Sequence, residues 1–426
     1  DALGAARALV GEDDVATCVY TSGTTGTPRG CLLTHRNWWE MLGMVLRVPG
    51  LVVPGDVIVL HLPLAHVFAR LVELMILPTA FTVAFCRDSA RLGRALQAVR
   101  PTIVATVPRV LEAVQAGALA EIERARGVRG RVAARAIRAG REDVLRRERG
   151  ERPGSGVVRA AIRRPLERRV GARLGGRLRH AVCGGAALRR DTAVDLAALG
   201  VTVLEGYGLT ECTTVATVNP PERSRIGTVG PAVPGGEVAI APDGEVLVRG
   251  PHVFRGYLGD DEATRAAVDA EGWLHTGDVG VLDPDGFLTI TDRKKDLIVT
   301  PGGTNVSPQK IEAALAASRY VSQALVVGEG RPYLAALLVP ESGEVDRVAR
   351  DAEEARALLA GVVADVNGEL GREEQVRRFA VLGRAFMAEE GEVTPTLKLR
   401  RRVCEEHFRR EIEGLYRAAA RPLDGD

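Results

Sequence analysis

"YTSGTTGTPRG", Tyr20 to Gly30, is the stretch on which the reading of this chain turns. Thr21, Ser22, Thr24, Thr25 and Thr27 supply five hydroxyls, and Gly23 and Gly26 leave backbone N–H groups open. Small donors without bulk suit an anion such as phosphate. The common nucleotide loop needs a Gly-Lys-Ser/Thr ending, whereas Gly26 is followed by Thr27-Pro28-Arg29. Upstream, Val15 to Tyr20 is β-prone. Downstream, "THRNWWEMLGMVLRV" has helical spacing with Thr34 as N-cap. The stretch therefore predicts strand, anion loop, helix.

The same plan recurs outward from it. "GDVIVLHLPLAHVFARLVELMIL" reads as strand, Pro turn and helix, and "VRPTIVATVPRVLEAV" as a strand over Thr102–Thr106 with a helix after Pro108. "GRLRHAVCGGAAL" and "VTVLEGYGLTEC" each read as a strand entering a glycine loop. Short buried strands alternating with helices predict an α/β fold with mainly parallel sheets and flanking helices. From Gly227 the texture turns to short alternating strands with Pro/Gly turns, a small β-rich subdomain over 227–294. A boundary near Lys295 divides a large domain, 1–294, from a small α+β domain, 295–426. Residues 121–180 interrupt this rhythm with an intensely basic, aromatic-free stretch. It reads as a solvated helical excursion or as an arm touching anionic lipid or substrate phosphates.

The 426 residues carry a net charge of +2, so no global field for nucleic acid is implied. The cysteines Cys18, Cys31, Cys86, Cys183, Cys212 and Cys404 form no CxxC pair, which suits a reducing cytoplasm and argues against zinc. No run approaches the roughly 20 apolar residues of a membrane span. The chain opens on Asp1, barely one strand ahead of the loop, and is expected to be the later part of a longer polypeptide.

Three further motifs carry chemistry. "EGYGLTE", Glu205 to Glu211, offers Tyr207 as a flat wall for a base, Thr210 as an oxygen contact and Glu211 as a hard ligand for Mg²⁺. "HTGD", His275 to Asp278, ends a strand with a carboxylate suited to two ribose hydroxyls. "TPTLKLRR", from Thr394, sets Lys398 between two leucines near the C-terminus. Each alone has a bland reading: a core Tyr, a turn Asp, a surface Lys. Their joint order does not.

In that order, together with "LPLAHVFAR", "VPRVLE", "GGAAL" and "DRKKDLIVTPGGTNVSP", the sequence resembles the AMP-forming, adenylate-forming superfamily over nearly its whole length. That group includes acyl-CoA synthetases, firefly-type luciferases and peptide-synthetase adenylation domains. "LPLAHVFAR" with "TPTLKLRR" looks most like the long-chain fatty acyl-CoA branch. The resemblance implies two half-reactions. A fatty acid carboxylate attacks the α-phosphate of ATP to give an acyl-adenylate, and coenzyme A then displaces AMP. Thr21 to Thr25 and Gly26, with Arg29, are implied to hold the leaving phosphates, and Glu211 with Thr21 to hold Mg²⁺. Gly185, Ala186, Glu205, Gly206, Tyr207, Gly208 and Thr210 are implied to face the nucleotide, and Asp278 and Arg293 its ribose. Lys398 is implied to contact the attacking carboxylate. Lys295 is the implied hinge of a mobile C-terminal domain, Gly302 and Gly303 face the pantetheine channel, and His66 and Arg70 line the acyl pocket.

Three departures from the family pattern stand out. Arg29 replaces a lysine, Thr304 stands where this branch often has a basic residue, and the family's N-terminal portion is expected to be missing. The alternatives are a fatty acyl-AMP ligase, an adenylation domain loading a carrier protein, and an inactive fragment acting as a binding module.

Overall fold

The computed structural model describes Gly4 and residues 9–21, 28–125, 127–152, 157–300, 304–393 and 399–417. The opening loop is flanked not by a strand and a helix but by two strands. β1 (Val15–Thr21) and β2 (Arg29–Thr34) pair antiparallel, with Thr21 opposite Arg29. Helix α1 (His35–Leu46) starts at the far end of β2, about 17 Å along the strand at roughly 3.4 Å per residue. A strand, and not a helix, therefore follows the loop directly, which corrects the expected strand–loop–helix order. Alternation explains the strand: Val19, Cys31 and Leu33 are buried, while Cys18 and Tyr20 on the other face are exposed. Thr34 does cap α1, through a reciprocal pair in which Asn37 N donates to Thr34 Oγ1 and Thr34 N to Asn37 Oδ1.

The main sheet contains β3 (Val57–Leu60), β4 (Thr82–Phe85), β5 (Ile103–Thr106), β6 (His180–Cys183), β7 (Val203–Tyr207) and β8 (Thr217–Val218). Its order is β4-β3-β5-β6-β7-β8, parallel except for β8. Parallel neighbours require crossovers. Those between sheet strands contain α2 (Val67–Leu74), α3 (Leu92–Val99), α4 (Pro108–Arg124), α5 (Gly127–Glu148), α6 (Val157–Arg173) and α7 (Arg190–Ala198). Both faces are covered: Ile58, Leu60, Ile103 and Ala105 enter one core, and Val59 and Val104 between them enter another. This is why the strands read as unbroken apolar runs.

The basic excursion is only half solvated. Ile137, Val170 and Leu174 of α5 and its successors join the second core, and Arg141 grips the buried Asp195 of α7. Arg131, Arg135 and Arg138 stay exposed. Among the described residues, no helix is long and apolar enough to cross a membrane.

Next along the chain come β9 (Glu237–Ile240), β10 (Glu245–Arg249), β11 (Gly256–Tyr257), α8 (Asp261–Ala267), β12 (Leu274–Leu282) and β13 (Leu288–Arg293). A sheet of order β13-β12-β10-β9 accounts for four of these strands. β11 leaves it and pairs with β2 as the third strand of the hairpin sheet, so the β-rich stretch is not self-contained.

The chain forms two compact units, Asp1–Thr276 with Gly280–Ile290, and Gly277–Val279 with Thr291–Asp426. In the second, β14 (Ile298–Val299) pairs with β15 (Asn305–Val306), and β16 (Val321–Val327), β17 (Leu334–Pro340) and β18 (Val376–Val381) form a sheet. Alternate residues again feed two cores. Val326, Ala336 and Leu338 pack with α9 (Pro308–Ala316) and α10 (Ala352–Glu369). Val327, Leu337 and Val339 pack with α11 (Arg401–His407) and α12 (Arg409–Arg417).

Candidate active site

In the first unit, β11 is what assembles the base of the hydroxyl loop. Its pairing with β2 sets Tyr257 opposite Cys31, and Leu258 N donates to Gly30 O at 2.8 Å. The Tyr257 hydroxyl donates to Glu211 Oε1 at 2.9 Å, and Phe254 N donates to Glu211 O at 2.8 Å. Burial and then the Glu211 carboxylate push the Cys31 thiol well up, while a hydrogen bond with Thr21 pulls it the other way. Thr21, Cys31, Glu211 and Tyr257 thus share one microenvironment. The Arg29 guanidinium lies 5.4 Å from the Tyr257 ring centre and 3.5 Å from the Asp260 carboxylate. Ser22, Gly23, Thr24, Thr25 and Gly26 lie outside the described residues.

A second feature lies at the carboxyl ends of the parallel strands. Numbered from β3, the strands run 2-1-3-4-5, and in such sheets ligands bind where the order reverses. At that reversal His61, just after β3, has Nε2 3.0 Å from Thr106 Oγ1, the last residue of β5. Burial holds the His61 imidazole below its ordinary range. One strand further, Gly184 N donates to Thr106 O, and Gly185 has φ +84°, which favours glycine. Gly185 and Ala186 are exposed. A Cβ on Gly184 would lie 3.4 Å from Gly206 O, so the "GGAAL" and "EGYG" loops are neighbours. Tyr207 is half-buried at the end of β7, and Thr210 and Glu211 follow in a single 3₁₀ turn. Gly208 admits no side chain, because a Cβ there would lie 1.9 Å from Thr214 O.

Glu205 is one of the residues implied to face the nucleotide. It is buried, and its carboxylate accepts from the backbone N–H groups of Leu188 and Gly227. Burial outweighs both bonds and pushes its carboxyl to about 7. Its oxygens latch two loops together. His66 is exposed at the start of α2, and Arg70, a turn later, is half-buried, donating from its terminal nitrogen to Leu64 O at 3.4 Å while its Nε has no hydrogen-bond partner among the described residues.

In the second unit, the buried Asp278 meets Arg293 Nε at 2.7 Å. Asp292 Oδ2 accepts from Ser307 Oγ at 2.6 Å and Gln309 N at 3.2 Å at the start of α9. Lys295 is exposed two residues beyond Arg293. Gly302, Gly303 and Lys398 lie outside the described residues, but the flanks of 394–398 are held firmly. Val393 bridges Leu399, and Arg400 N donates to Glu392 O. The buried Glu392 carboxylate takes Arg384, His407 Nδ1 and Met387 N, which hold it down at about 2. Arg401 makes two bonds to the buried Glu312, at 2.8 and 2.9 Å.

A hydroxyl and a carboxylate beside a glycine-rich loop, with nucleotide-type turns at the strand ends, match a known group. The AMP-binding enzyme family model matches residues 4–258, and that of the AMP-binding enzyme C-terminal domain matches 295–420. The chain belongs to the AMP-binding enzyme family.

Within the family, Long-chain-fatty-acid–CoA ligase FadD15 of Mycobacterium tuberculosis is 39% identical over 97% of this chain and 71% of its own length. Long-chain-fatty-acid–CoA ligase 1 of Homo sapiens is 32% identical, over 95% of this chain and 61% of its own. Among solved structures, the adenylation domain of a carboxylate reductase from Mycobacterium chelonae matches with TM-score 0.72 and 26% identity, covering 95% of this chain and 60% of that one. ATP-bound MatB from Rhodopseudomonas palustris matches with TM-score 0.69 and 25% identity, covering 93% and 69%.

The motif reading missed Tyr257, His61 and Thr106. "FRGYL" offered a glycine–aromatic pair as the signal for the first. The other two become visible only once the strand order is known.

Proposed function

We propose that this chain is an AMP-forming acid–thiol ligase that activates a long-chain fatty acid with ATP and passes it to coenzyme A. The convergence of Thr21 and Glu211 at the base of the hydroxyl loop carries the reading, supported by the named activity of the relatives. Adenylation brings one anion against another, so positioning and neutralisation do most of the work. Ser22 to Gly26 and Arg29 cradle the departing phosphates. Mg²⁺ typically takes one or two carboxylates and completes its shell with substrate phosphates, which fits one carboxylate and one hydroxyl here. When bound, it neutralises charge on the leaving group. Gly185, Ala186 and the Glu205–Thr210 turn face the nucleotide, and Asp278 with its partner Arg293 holds the ribose.

Composition adds weight to Lys398. Only Lys294, Lys295, Lys310 and Lys398 of the 57 basic residues are lysines. In a chain that otherwise uses arginine, a retained ammonium points to a role the guanidinium fork does not fill. Two of the four lie at the implied hinge and one at the implied carboxylate contact. We assign the hinge to Lys295, the pantetheine channel to Gly302 and Gly303, and the acyl pocket to the region of His66 and Arg70. The domain division at 294/295 belongs to the same proposal. The excursion is basic enough, nineteen arginines against seven acidic residues over 121–180, for a peripheral contact with anionic lipid.

The test is ATP–pyrophosphate exchange with long-chain acids, and AMP release with and without coenzyme A. Lys398→Ala should abolish exchange yet leave thioester formation from preformed acyl-adenylate intact. Exchange at the wild-type rate would refute the assignment. AMP release indifferent to coenzyme A would favour an acyl-AMP ligase or a carrier-loading domain.

A further inference from the structure

Glu211 enters the proposed mechanism as a metal-side carboxylate, but nothing in its own short 3₁₀ turn fixes how that carboxylate points. The structure supplies a partner from another element. Tyr257 lies on β11, whose backbone is locked on both sides: Gly256 and Tyr257 pair with Leu32 and Cys31, and Tyr257 N donates to Thr264 Oγ1 at 2.9 Å. Phe254 packs edge-on against the Tyr257 ring, with centroids 4.9 Å apart. Asn37 of α1 holds the preceding segment by donating to Pro251 O and Val253 O, both at 2.8 Å. The phenol therefore has little freedom, and its hydroxyl reaches Glu211 Oε1 at 2.9 Å, while the Cys31 thiol on the neighbouring strand also hydrogen-bonds this carboxylate. The same ring faces the Arg29 guanidinium at the end of the hydroxyl loop.

We propose that Tyr257 is a positioning residue for adenylation, its hydroxyl orienting the Glu211 carboxylate toward a divalent cation and its ring seating Arg29 beside the phosphate loop. The inference rests on the reading of Glu211 as the metal-side carboxylate. A carboxylate offers about four lone-pair sites, so a phenol and a thiol that fix its plane still leave lone pairs for a cation. An aromatic face holds a guanidinium in place without neutralising it.

The test compares Tyr257→Phe, Tyr257→Leu and Glu211→Gln. Binding of Mn²⁺ in the presence of ATP is followed by electron paramagnetic resonance, and pyrophosphate exchange is measured across a Mg²⁺ titration. A hydrogen bond to a charged group contributes about 1.5–3 kcal/mol, so Tyr257→Phe should weaken Mn²⁺ binding roughly 10-fold or more. Its exchange rate should return to the wild-type value at saturating Mg²⁺, while its melting temperature falls by only the few degrees that one lost hydrogen bond costs. Tyr257→Leu should show the same metal defect and also a raised KM for pyrophosphate, because Arg29 loses its seat. Thioester formation from preformed acyl-adenylate, which carries no triphosphate, should stay at the wild-type rate in both. If Glu211→Gln abolishes Mn²⁺ binding while Tyr257→Phe matches the wild type, the positioning role is refuted. If Glu211→Gln leaves Mn²⁺ binding unchanged, the metal-side reading itself falls. A Tyr257→Phe defect that saturating Mg²⁺ does not restore would mark a structural role and overturn the proposal.

Discussion

Glu205 gives the sharpest quantitative expectation. Its carboxyl rises from an ordinary 4.5 to about 7 in the folded chain, chiefly through burial. The native state thus holds this proton more tightly than the unfolded state, and stability must fall as pH climbs from about 4.5 toward 7. At about 1.36 kcal/mol per unit, the cost reaches about 1 kcal/mol at pH 5 and about 3 kcal/mol at pH 8. Glu205→Gln removes the titration but keeps an oxygen able to accept from Leu188 and Gly227. It should therefore stabilise the first unit by about 1 kcal/mol at pH 5 and about 3 kcal/mol at pH 8. Urea unfolding followed by tryptophan fluorescence reads this unit selectively, since Trp38, Trp39 and Trp273 all lie within it. An advantage equal at both pH values would refute the reasoning, as would a variant less stable than wild type at pH 8.

Three other expectations follow from the same kind of reading. His252 is fully buried, neither ring nitrogen has a hydrogen-bond partner among the described residues, and burial holds its imidazole down at about 4. Its contribution is present above pH 6.5 and lost as pH falls toward 4, about 3 kcal/mol in all, so His252→Leu should flatten the acid limb of a stability–pH curve. Arg401→Met strands the Glu312 carboxylate in the second unit's core and should destabilise that unit by about 3–5 kcal/mol at pH 8, less at pH 5 where Glu312 takes up a proton. Hydrogen exchange in α9 and β16 would measure it, and the Glu312→Leu/Arg401→Met pair should recover most of the loss. Gly208→Ala drives a Cβ against Thr214 O and should abolish AMP binding measured by calorimetry, whereas Gly343→Ala, which meets nothing within 4 Å, should leave it unchanged.

How far the sequence predicts this molecule depends on which interactions are local. β3, β5, β6 and β7 are legible because both faces are buried and each strand reads as a short apolar run. The Thr34 cap is legible because it involves a partner only three residues away. β2 has no place in the strand–loop–helix reading, because nothing within "RGCLLT" itself marks a strand between the loop and the helix capped by Thr34. Only its partner β1 makes it a strand. The basic excursion gave its helices through composition, but not the face that packs on α7, since widely spaced Ala and Ile among arginines leave a weak pattern. Glu205 and Tyr257 were opaque in another way. The chemistry of each depends on groups far along the chain: Gly227 for the first, Glu211 and Cys31 for the second.

The pairing of β11 with β2 also bears on how the chain is made. Leu32 and Gly256 meet across roughly 220 intervening positions, a very non-local contact by any measure of folding topology. At ribosomal speeds of about 5–20 residues per second, the hairpin emerges about 10–45 s before its third strand exists. Throughout that interval β2 presents an unsatisfied edge, the kind of surface on which nascent chains mispair. Expression yield at reduced temperature or with added chaperones should therefore respond to substitutions in Gly256–Leu258 more than to equally buried changes in β5 or β6.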